Sequence, residues 1–111
     1  MKIVSLADVP DEGVSHDPEV KKRVLLRRGD VPRLTNFSRA RLLPGQMACA
    51  HRHPDMSEVF FVEEGAGVIR VEGVEYTLAP GTCVAVEPGE EHEIVNAGVE
   101  NLVLLYFGVE S

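Results

Sequence analysis

The feature that most constrains this chain is a series of short apolar or alternating runs, each ended by glycine or proline. From residue 34 onward such runs recur about every 8–12 residues, which is typical of an all-β sandwich or barrel. A chain of 111 residues is long enough for one domain and too short for two. The pattern predicts one small antiparallel β-barrel, with strands at residues 34–43, 47–53, 58–64, 67–73, 74–79, 82–86, 92–97 and 101–109.

The N-terminal part of the chain lacks a convincing amphipathic helix. Residues 17–28 are the nearest candidate, with Pro18 at a plausible first helical position. Val24, Leu25 and Leu26 are contiguous, however, whereas an amphipathic helix spaces its apolar residues by three or four. We therefore expect a short turn and then a strand, with residues 1–33 forming an N-terminal arm and outer strands and residues 34–111 forming the barrel.

The charge of the chain argues against nucleic acid as a partner, because the formal net charge is −7. The charge is uneven: residues 1–41 hold nine Lys/Arg and six Asp/Glu, and residues 42–111 hold two and twelve. Eight of the eleven basic residues lie between Lys21 and Arg41. We favour a solvated basic face; the alternative is contact with the acidic remainder of the same or a neighbouring chain.

The lengths of the apolar runs also indicate where in the cell the protein is expected. None near the start is long enough for a signal peptide, and none approaches the ~20 residues of a membrane span. We expect a cytoplasmic protein with no membrane partner. Cys49 and Cys83 do not form a CxxC pair, so we expect free thiols that are buried as small apolar side chains rather than used as ligands.

Two histidines one residue apart, His51 and His53, lie in one of the predicted strands. Side chains alternate along a strand, so these two imidazoles share a face, whereas on a helix they would point apart. Pro54 is expected to end the strand. Glu58 then opens the next strand on its inward parity, and His92 begins a later one. Three neutral imidazoles and one carboxylate suit Fe, Mn, Ni, Co, Zn or Cu in the divalent state.

These residues match a known pattern. The residues Gly45, His51, His53, Glu58 and Gly65 have the spacing G-x5-H-x-H-x4-E-x6-G, the first motif of the cupin superfamily. The chain thus resembles the small single-domain cupins. The resemblance implies a jelly-roll barrel (double-stranded β-helix) and one divalent transition metal per chain held by His51, His53, Glu58 and His92.

The second cupin motif, G-x5-P-x-G-x2-H-x3-N, matches residues 81–96 with one departure. Glu87 occupies the first proline position, and Pro88 follows it. Proline and then glycine at the centre of a turn is the type II pattern, so we expect Pro88 and Gly89 to preserve the turn.

The resemblance implies a metalloenzyme of the dioxygenase, decarboxylase or isomerase type that acts on a small polar or carboxylated metabolite. The alternatives are a non-catalytic module that binds a small molecule through the metal, and a metal-binding barrel of other use. The predicted interior is mostly apolar and no lysine stands out as a proton carrier, which favours oxygen chemistry or chelation of a semi-apolar ligand.

Strand parity extends the predicted pocket beyond the ligands. Met47 and Cys49 share the parity of His51, Phe60 shares that of Glu58, and Asn96 that of His92. We expect Asn96 to satisfy backbone groups near the site, with substrate contact as the alternative. His16 is expected in a turn, Arg39 and Arg41 on the outer surface rather than in the pocket, and either Tyr76 or Tyr106 can offer a hydroxyl.

The C-terminal run from Leu102 to Phe107 is apolar on both parities. A strand of this kind must be covered on both faces, and a single small barrel covers only one. Val59 and Phe61 add to the outer face. Single-domain cupins are commonly homodimers, and we expect a homodimer here.

Overall fold

Ten β-strands and one 3₁₀ turn (Leu6–Asp8) make up the chain in a computed structural model that describes residues 1–111. The all-β prediction is confirmed, and the strand positions from residue 34 onward agree with the apolar runs to within about two residues. The strands are β1 Asp11–Val14, β2 Asp17–Arg27, β3 Leu34–Leu42, β4 Met47–His51, β5 Met56–Glu64, β6 Gly67–Val71, β7 Val74–Leu78, β8 Cys83–Val86, β9 His92–Val95 and β10 Leu102–Glu110.

The strands form two antiparallel sheets that face each other as a jelly roll. The larger sheet has the order β1-β2-β3-β10-β5-β8, and the smaller has the order β4-β9-β6-β7. The inward-facing side chains meet between the sheets, where Val62, Ile69, Leu78 and Leu102 have no exposed surface. The structure contains no helix with the length and apolarity that a membrane crossing requires.

The segment that offered the nearest helical candidate is the long strand β2. Its inward residues Val20 and Val24 are 1% and 6% exposed and pack into the interior, with Lys22 between them on the same face. Strand β1 pairs with β2 through a two-residue turn, Ser15 and His16, as expected for His16. The contiguous apolar residues are accommodated by a register shift between Val24 and Leu26.

The turn before β9 keeps the predicted type II geometry, although Glu87 replaces the first proline of the second cupin motif. The backbone N–H of Glu90 donates to the carbonyl of Glu87 at 3.2 Å, and Gly89 has φ 84°, the value that a type II turn needs at this position. The Gly89 N–H also donates to the carbonyl of His53 at 2.8 Å. The turn therefore ties the two motif segments together.

We predict that Gly65→Ala destabilises the fold far more than Gly73→Ala. Both glycines have positive φ, 80° and 77°, so alanine costs roughly 1–2 kcal/mol at either site. A Cβ at Gly65 would also collide with the carbonyl of Asn101, whereas at Gly73 it would meet open space. Overpacking adds about 1–3 kcal/mol at Gly65 alone. Chemical denaturation measures both losses, and equal losses would contradict the close approach at Gly65.

Candidate metal centre

The structure brings the four predicted ligands together between the two sheets. His51 ends β4 and lies directly opposite His92, the first residue of β9, in the smaller sheet. His53 follows two residues later. Glu58 comes from β5 of the larger sheet, which begins at Met56, so that Glu58 is its third residue rather than its first.

The ligand atoms converge on one carboxylate oxygen. Glu58 Oε1 lies 3.0 Å from His92 Nε2, 3.3 Å from His53 Nε2 and 3.7 Å from His51 Nε2. The candidate ligand atoms of all four residues lie within 4.8 Å of one another. Glu58 and His92 are buried, and His51 and His53 are half-buried. The site is thus closed towards the interior and open on the histidine side.

Backbone carbonyls orient two of the imidazoles. His51 Nδ1 is 2.9 Å from the carbonyl of Cys49, and His92 Nδ1 is 3.0 Å from the carbonyl of Glu90. A carbonyl only accepts, so each Nδ1 must carry the hydrogen and donate it. The lone pair of each neutral ring is then on Nε2, the atom that faces Glu58. This is the tautomer that a metal-binding histidine needs when it coordinates through Nε2.

The cluster holds Glu58 in its charged form. Burial by itself would raise the pKa of this carboxyl. When His51 and His92 are protonated they donate to it from Nε2, and these hydrogen bonds together with the charge of the nearby imidazoles lower the pKa to about 2. The hydrogen bond to Glu58 raises the pKa of His51, whereas burial lowers the pKa of His53. The site therefore presents a fixed negative charge to imidazoles that can hold or release protons.

The donor set fits a divalent transition metal. The three nitrogens and the carboxylate oxygen are already grouped around one point, and two of the rings have the tautomer fixed for Nε2 coordination. Imidazole nitrogens with a carboxylate oxygen suit divalent metals from Mn to Zn. The cluster could hold one metal ion per chain.

A cavity of about 200 Å³ lies above the cluster and is lined in just over half of its residues by hydrophobic side chains. Phe60, as predicted, is one of them, and it stacks on Tyr106 with 5.7 Å between ring centroids and an interplanar angle of 24°. The cavity thus combines a polar end at the ligand cluster with an aromatic wall.

Two predicted lining residues, Met47 and Cys49, are not part of the cavity wall, and Ala48 lines it instead. The reason is a β-bulge. Ala48 pairs with Ile94 and His51 pairs with His92, so β4 has one more residue than β9 between these two pairs. The extra residue shifts the alternation, which places Ala48 and His51 on the same face. Cys49 is exposed.

Cys83 is also exposed, so the expectation that both cysteines are buried was wrong. Each lies in the outermost strand of its sheet, β4 or β8, where one edge is left open to solvent. Both are free thiols and neither belongs to the ligand cluster.

Asn96 has the backbone role that we favoured. It is 1% exposed, and its Nδ2 donates to the carbonyls of Leu42 and Glu100 at 2.9 and 2.8 Å, while its Oδ1 accepts from the N–H of Gly98 at 2.9 Å. It does not line the cavity. Its side chain therefore joins the end of β3 to the connection between β9 and β10.

Two polar residues of the cavity wall, Lys22 and Asn36, were not predicted, whereas Tyr106 was one of the two candidate phenols. Lys22, Asn36 and Tyr106 line it, and His16 does so from the tip of the β1–β2 turn. The signal for Lys22 was the alternation Val20-x-Lys22-x-Val24, which identifies the inward face once this segment is taken as a strand. Burial raises the pKa of Tyr106 to about 12, a rise that the Glu58 charge supports and a Ser38 hydrogen bond opposes.

The other side chains considered at the pocket lie elsewhere. Tyr76 is 53% exposed on β7. Arg39 and Arg41 face outward, as favoured, where Arg39 pairs with Glu63 at 2.8 Å and Arg41 with Asp11 at 3.5 Å. The cavity therefore has one candidate phenol and one long-chain cation, Tyr106 and Lys22.

Fold and site together define a jelly-roll barrel with a cluster of three histidines and one glutamate suited to a metal. Comparison with known protein families identifies the family: the sequence model of the family described as "Cupin domain" matches residues 38–108. The chain belongs to the cupin family.

Two curated relatives are similar in sequence. An oxalate-binding protein of Thermotoga maritima is 30% identical over 69 residues, 62% of this chain and 57% of that protein. The tetracenomycin polyketide synthase protein TcmJ of Streptomyces glaucescens is 32% identical over 85 residues, 76% of this chain and 57% of that protein. The chain thus spans little more than half the length of the curated relatives it matches.

A solved structure supports the fold. The crystal structure of a predicted oxalate decarboxylase from Thermotoga maritima superposes with a TM-score of 0.92 and 24% sequence identity. The match covers 99% of this chain and 100% of that one. The chain therefore has the same fold as that protein over nearly its whole length.

We predict that Asn96→Ala destabilises the protein by about 2–4 kcal/mol, because three backbone groups lose a buried partner and a void remains. Asn101→Ala, a control on an exposed residue, is expected to cost less than about 0.5 kcal/mol. Thermal and chemical unfolding measure both. An Asn96→Ala variant of normal stability that fails to bind ligand would instead indicate ligand contact.

Proposed function

We propose that this cupin binds one divalent transition metal through His51, His53, Glu58 and His92 and uses it to hold a small carboxylate ligand. The observation that carries the proposal is the convergence of three imidazole nitrogens and one buried carboxylate at the closed end of a mostly apolar cavity. Such a donor set leaves coordination positions open in a metal that prefers six ligands.

The metal would act as a Lewis acid that polarises and anchors a ligand oxygen. The protein residues divide the remaining work. The carbonyls of Cys49 and Glu90 keep two imidazoles in the coordinating tautomer. Phe60 and Leu104 exclude water from the wall, and the Tyr106 hydroxyl keeps its proton at neutral pH and can donate it to an anionic oxygen.

The size and charge of the cavity favour a small anion. An apolar cavity of about 150 Å³ holds benzene, so the present 200 Å³ has room for roughly eight to ten non-hydrogen atoms. A multi-ring polyketide would exceed this volume. A divalent ion together with Lys22 would also outweigh the charges of Glu58 and Asp17 in the wall. The Thermotoga maritima relative is named as an oxalate-binding protein, which supports the same class of ligand.

A second candidate is turnover of such a ligand by decarboxylation, and the observation that favours it is the pair of proton donors in the wall, Tyr106 and Lys22. Loss of a carboxylate as CO₂ leaves an electron pair that must take up a proton, and no external oxidant is required. The sequence had instead favoured oxygen chemistry or chelation over decarboxylation, since no lysine stood out as a proton carrier. Dioxygenase and isomerase activities have no comparable support from the wall.

We expect protein purified without chelators to contain about one metal ion per chain and to bind oxalate. His51→Ala/His92→Ala should lose both, because two of four ligands are removed, whereas His16→Ala at the cavity mouth should keep the metal. Elemental analysis and calorimetry measure the two properties. A folded wild type that cannot be loaded with any metal would refute the proposal.

The same samples separate binding from turnover. Incubation of the metal-loaded protein with oxalate, followed by assays of formate, CO₂ and oxygen consumption, identifies decarboxylation or oxidation if either occurs. Binding without any product would identify a non-catalytic module.

We further propose that the chain forms a homodimer through the outer face of the larger sheet. Phe37 and Phe107 contact edge to face there, with centroids 6.4 Å apart, and Leu105 and Val59 lie beside them. Phe61, on the same face, is 41% exposed. The adjacent charges Arg39 and Glu63 neutralise each other, so two copies can meet here despite a chain charge of −7.

We predict that wild-type protein has about twice the 12.2 kDa chain mass in solution and that Phe61→Lys is monomeric, because the lysines would place like charges in an apolar contact. Val74→Lys, on the exposed strand β7 of the other sheet, is the control and should leave the dimer intact. Sedimentation or light scattering gives the mass. A 12.2 kDa wild type would contradict the proposal.

We also propose that the protein is located in the cytoplasm. It is supported by the two exposed free thiols, Cys49 and Cys83, which a reducing compartment keeps from forming disulfides.

A further inference from the structure

Lys22 is the one long-chain cation in the cavity that contains the ligand cluster. It is half-buried on the inward face of β2, directly opposite Ala40 of β3, which in turn lies opposite Leu104 of β10. The small side chain of Ala40 leaves room for the lysine to extend over the sheet. Lys22 therefore belongs to the cavity wall and not to the outer face of the sheet.

Lys22 differs from most of its basic neighbours because it is half-buried and has no internal hydrogen-bond or ion-pair partner; Arg33, which also has none, is exposed. Five of the eight basic residues between Lys21 and Arg41 are paired with carboxylates; these are Arg23, Arg27, Arg28, Arg39 and Arg41. Lys21 donates to the carbonyl of Pro18. Glu12 lies directly opposite Lys22 in β1, but the Arg27 guanidinium binds its carboxylate at 2.7 Å. Lys22 therefore feels the charge of Glu12 without a bound carboxylate of its own, and a half-buried ammonium in this position attracts an anion.

A second polar group lies at the same place. Lys22 and Asn36 line the cavity above the cluster and also a more open groove beside it, together with His53 and Met56. Asn36 Oδ1 accepts from Ser38 Oγ at 2.7 Å, which turns the Nδ2 donors the other way, and their only contact is a long one of 3.4 Å to Thr35 Oγ1. This junction, next to the candidate ligand His53, thus offers an ammonium and an amide N–H.

We propose that Lys22 and Asn36 form a carboxylate subsite, so that the preferred ligand has a metal-chelating head and a second carboxylate. This rests on the proposed function, since the head needs the metal. The head lies at the cluster and the second carboxylate at the junction, where Lys22 forms an ion pair with it and Asn36 donates a hydrogen bond. Lys22 is then a specificity residue, and its removal affects the second carboxylate and not the head.

The test compares 2-oxo diacids with monoacids of equal chain length. Protein loaded under nitrogen with Mn(II), an ion that takes six ligands and so keeps positions open beside the four side chains, is titrated by calorimetry with 2-oxosuccinate, 2-oxoglutarate and 2-oxoadipate and with 2-oxobutanoate, 2-oxopentanoate and 2-oxohexanoate. We expect wild type to bind at least one diacid about tenfold more tightly than its monoacid, the size of a charged hydrogen bond. Lys22→Met should reduce this ratio to less than about twofold, with a much smaller loss of monoacid affinity than of diacid affinity and with unchanged manganese content.

Lys21→Met is the matched control, because this neighbouring amine contacts Pro18 outside the cavity. It should keep the wild-type ratio, and Lys22→Arg should restore most of it. A wild type that binds monoacids through manganese with no diacid preference, or a Lys22→Met protein that keeps the preference, overturns the subsite alone. A wild type that binds no oxo acid, with or without bound manganese, overturns the proposed function as well.

Discussion

The organisation of the cavity depends on one buried carboxylate. Glu58 is 6% exposed and charged, and a charge in such surroundings costs several kcal/mol unless it is paired. Its partners cannot come from its own sheet, where its neighbours across β10 and β8 are Gly108 and Val86. They come from the facing sheet as three imidazoles. The pairing of the sheets and the assembly of the site are therefore one requirement.

The parts of this arrangement that were predictable from sequence are those with local causes. Alternation placed Phe60 and Glu58 on one face of β5, and Pro88-Gly89 shaped the turn before His92 without help from Glu87. No local sequence pattern predicts the β-bulge in β4. It depends on how His51 is paired with His92 across the sheet, and for this reason parity failed for Met47 and Cys49 while it succeeded elsewhere.

Lys22 and Asn36 were not predicted, and Tyr106 could not be chosen over Tyr76, for a different physical reason. Lys22, Asn36 and Tyr106 come from β2, β3 and β10, which are adjacent only because the sheet order is β2-β3-β10. No spacing in the sequence records that order. Lys22 is also hidden in a run of charged residues, most of which face outward and pair with acids. Only the buried valines on either side show which of these cations faces inward.

The two halves of the cavity are built by different parts of the chain. The ligand cluster comes from β4, β5 and β9 and their flanking turns, where the carbonyls of His53, Cys49 and Glu90 accept hydrogen bonds that leave little freedom. The opposite wall comes from β2, β3 and β10, where side chains can change without disturbing those bonds. Metal binding and ligand choice can thus vary independently, which is one physical basis for a fold that serves many functions.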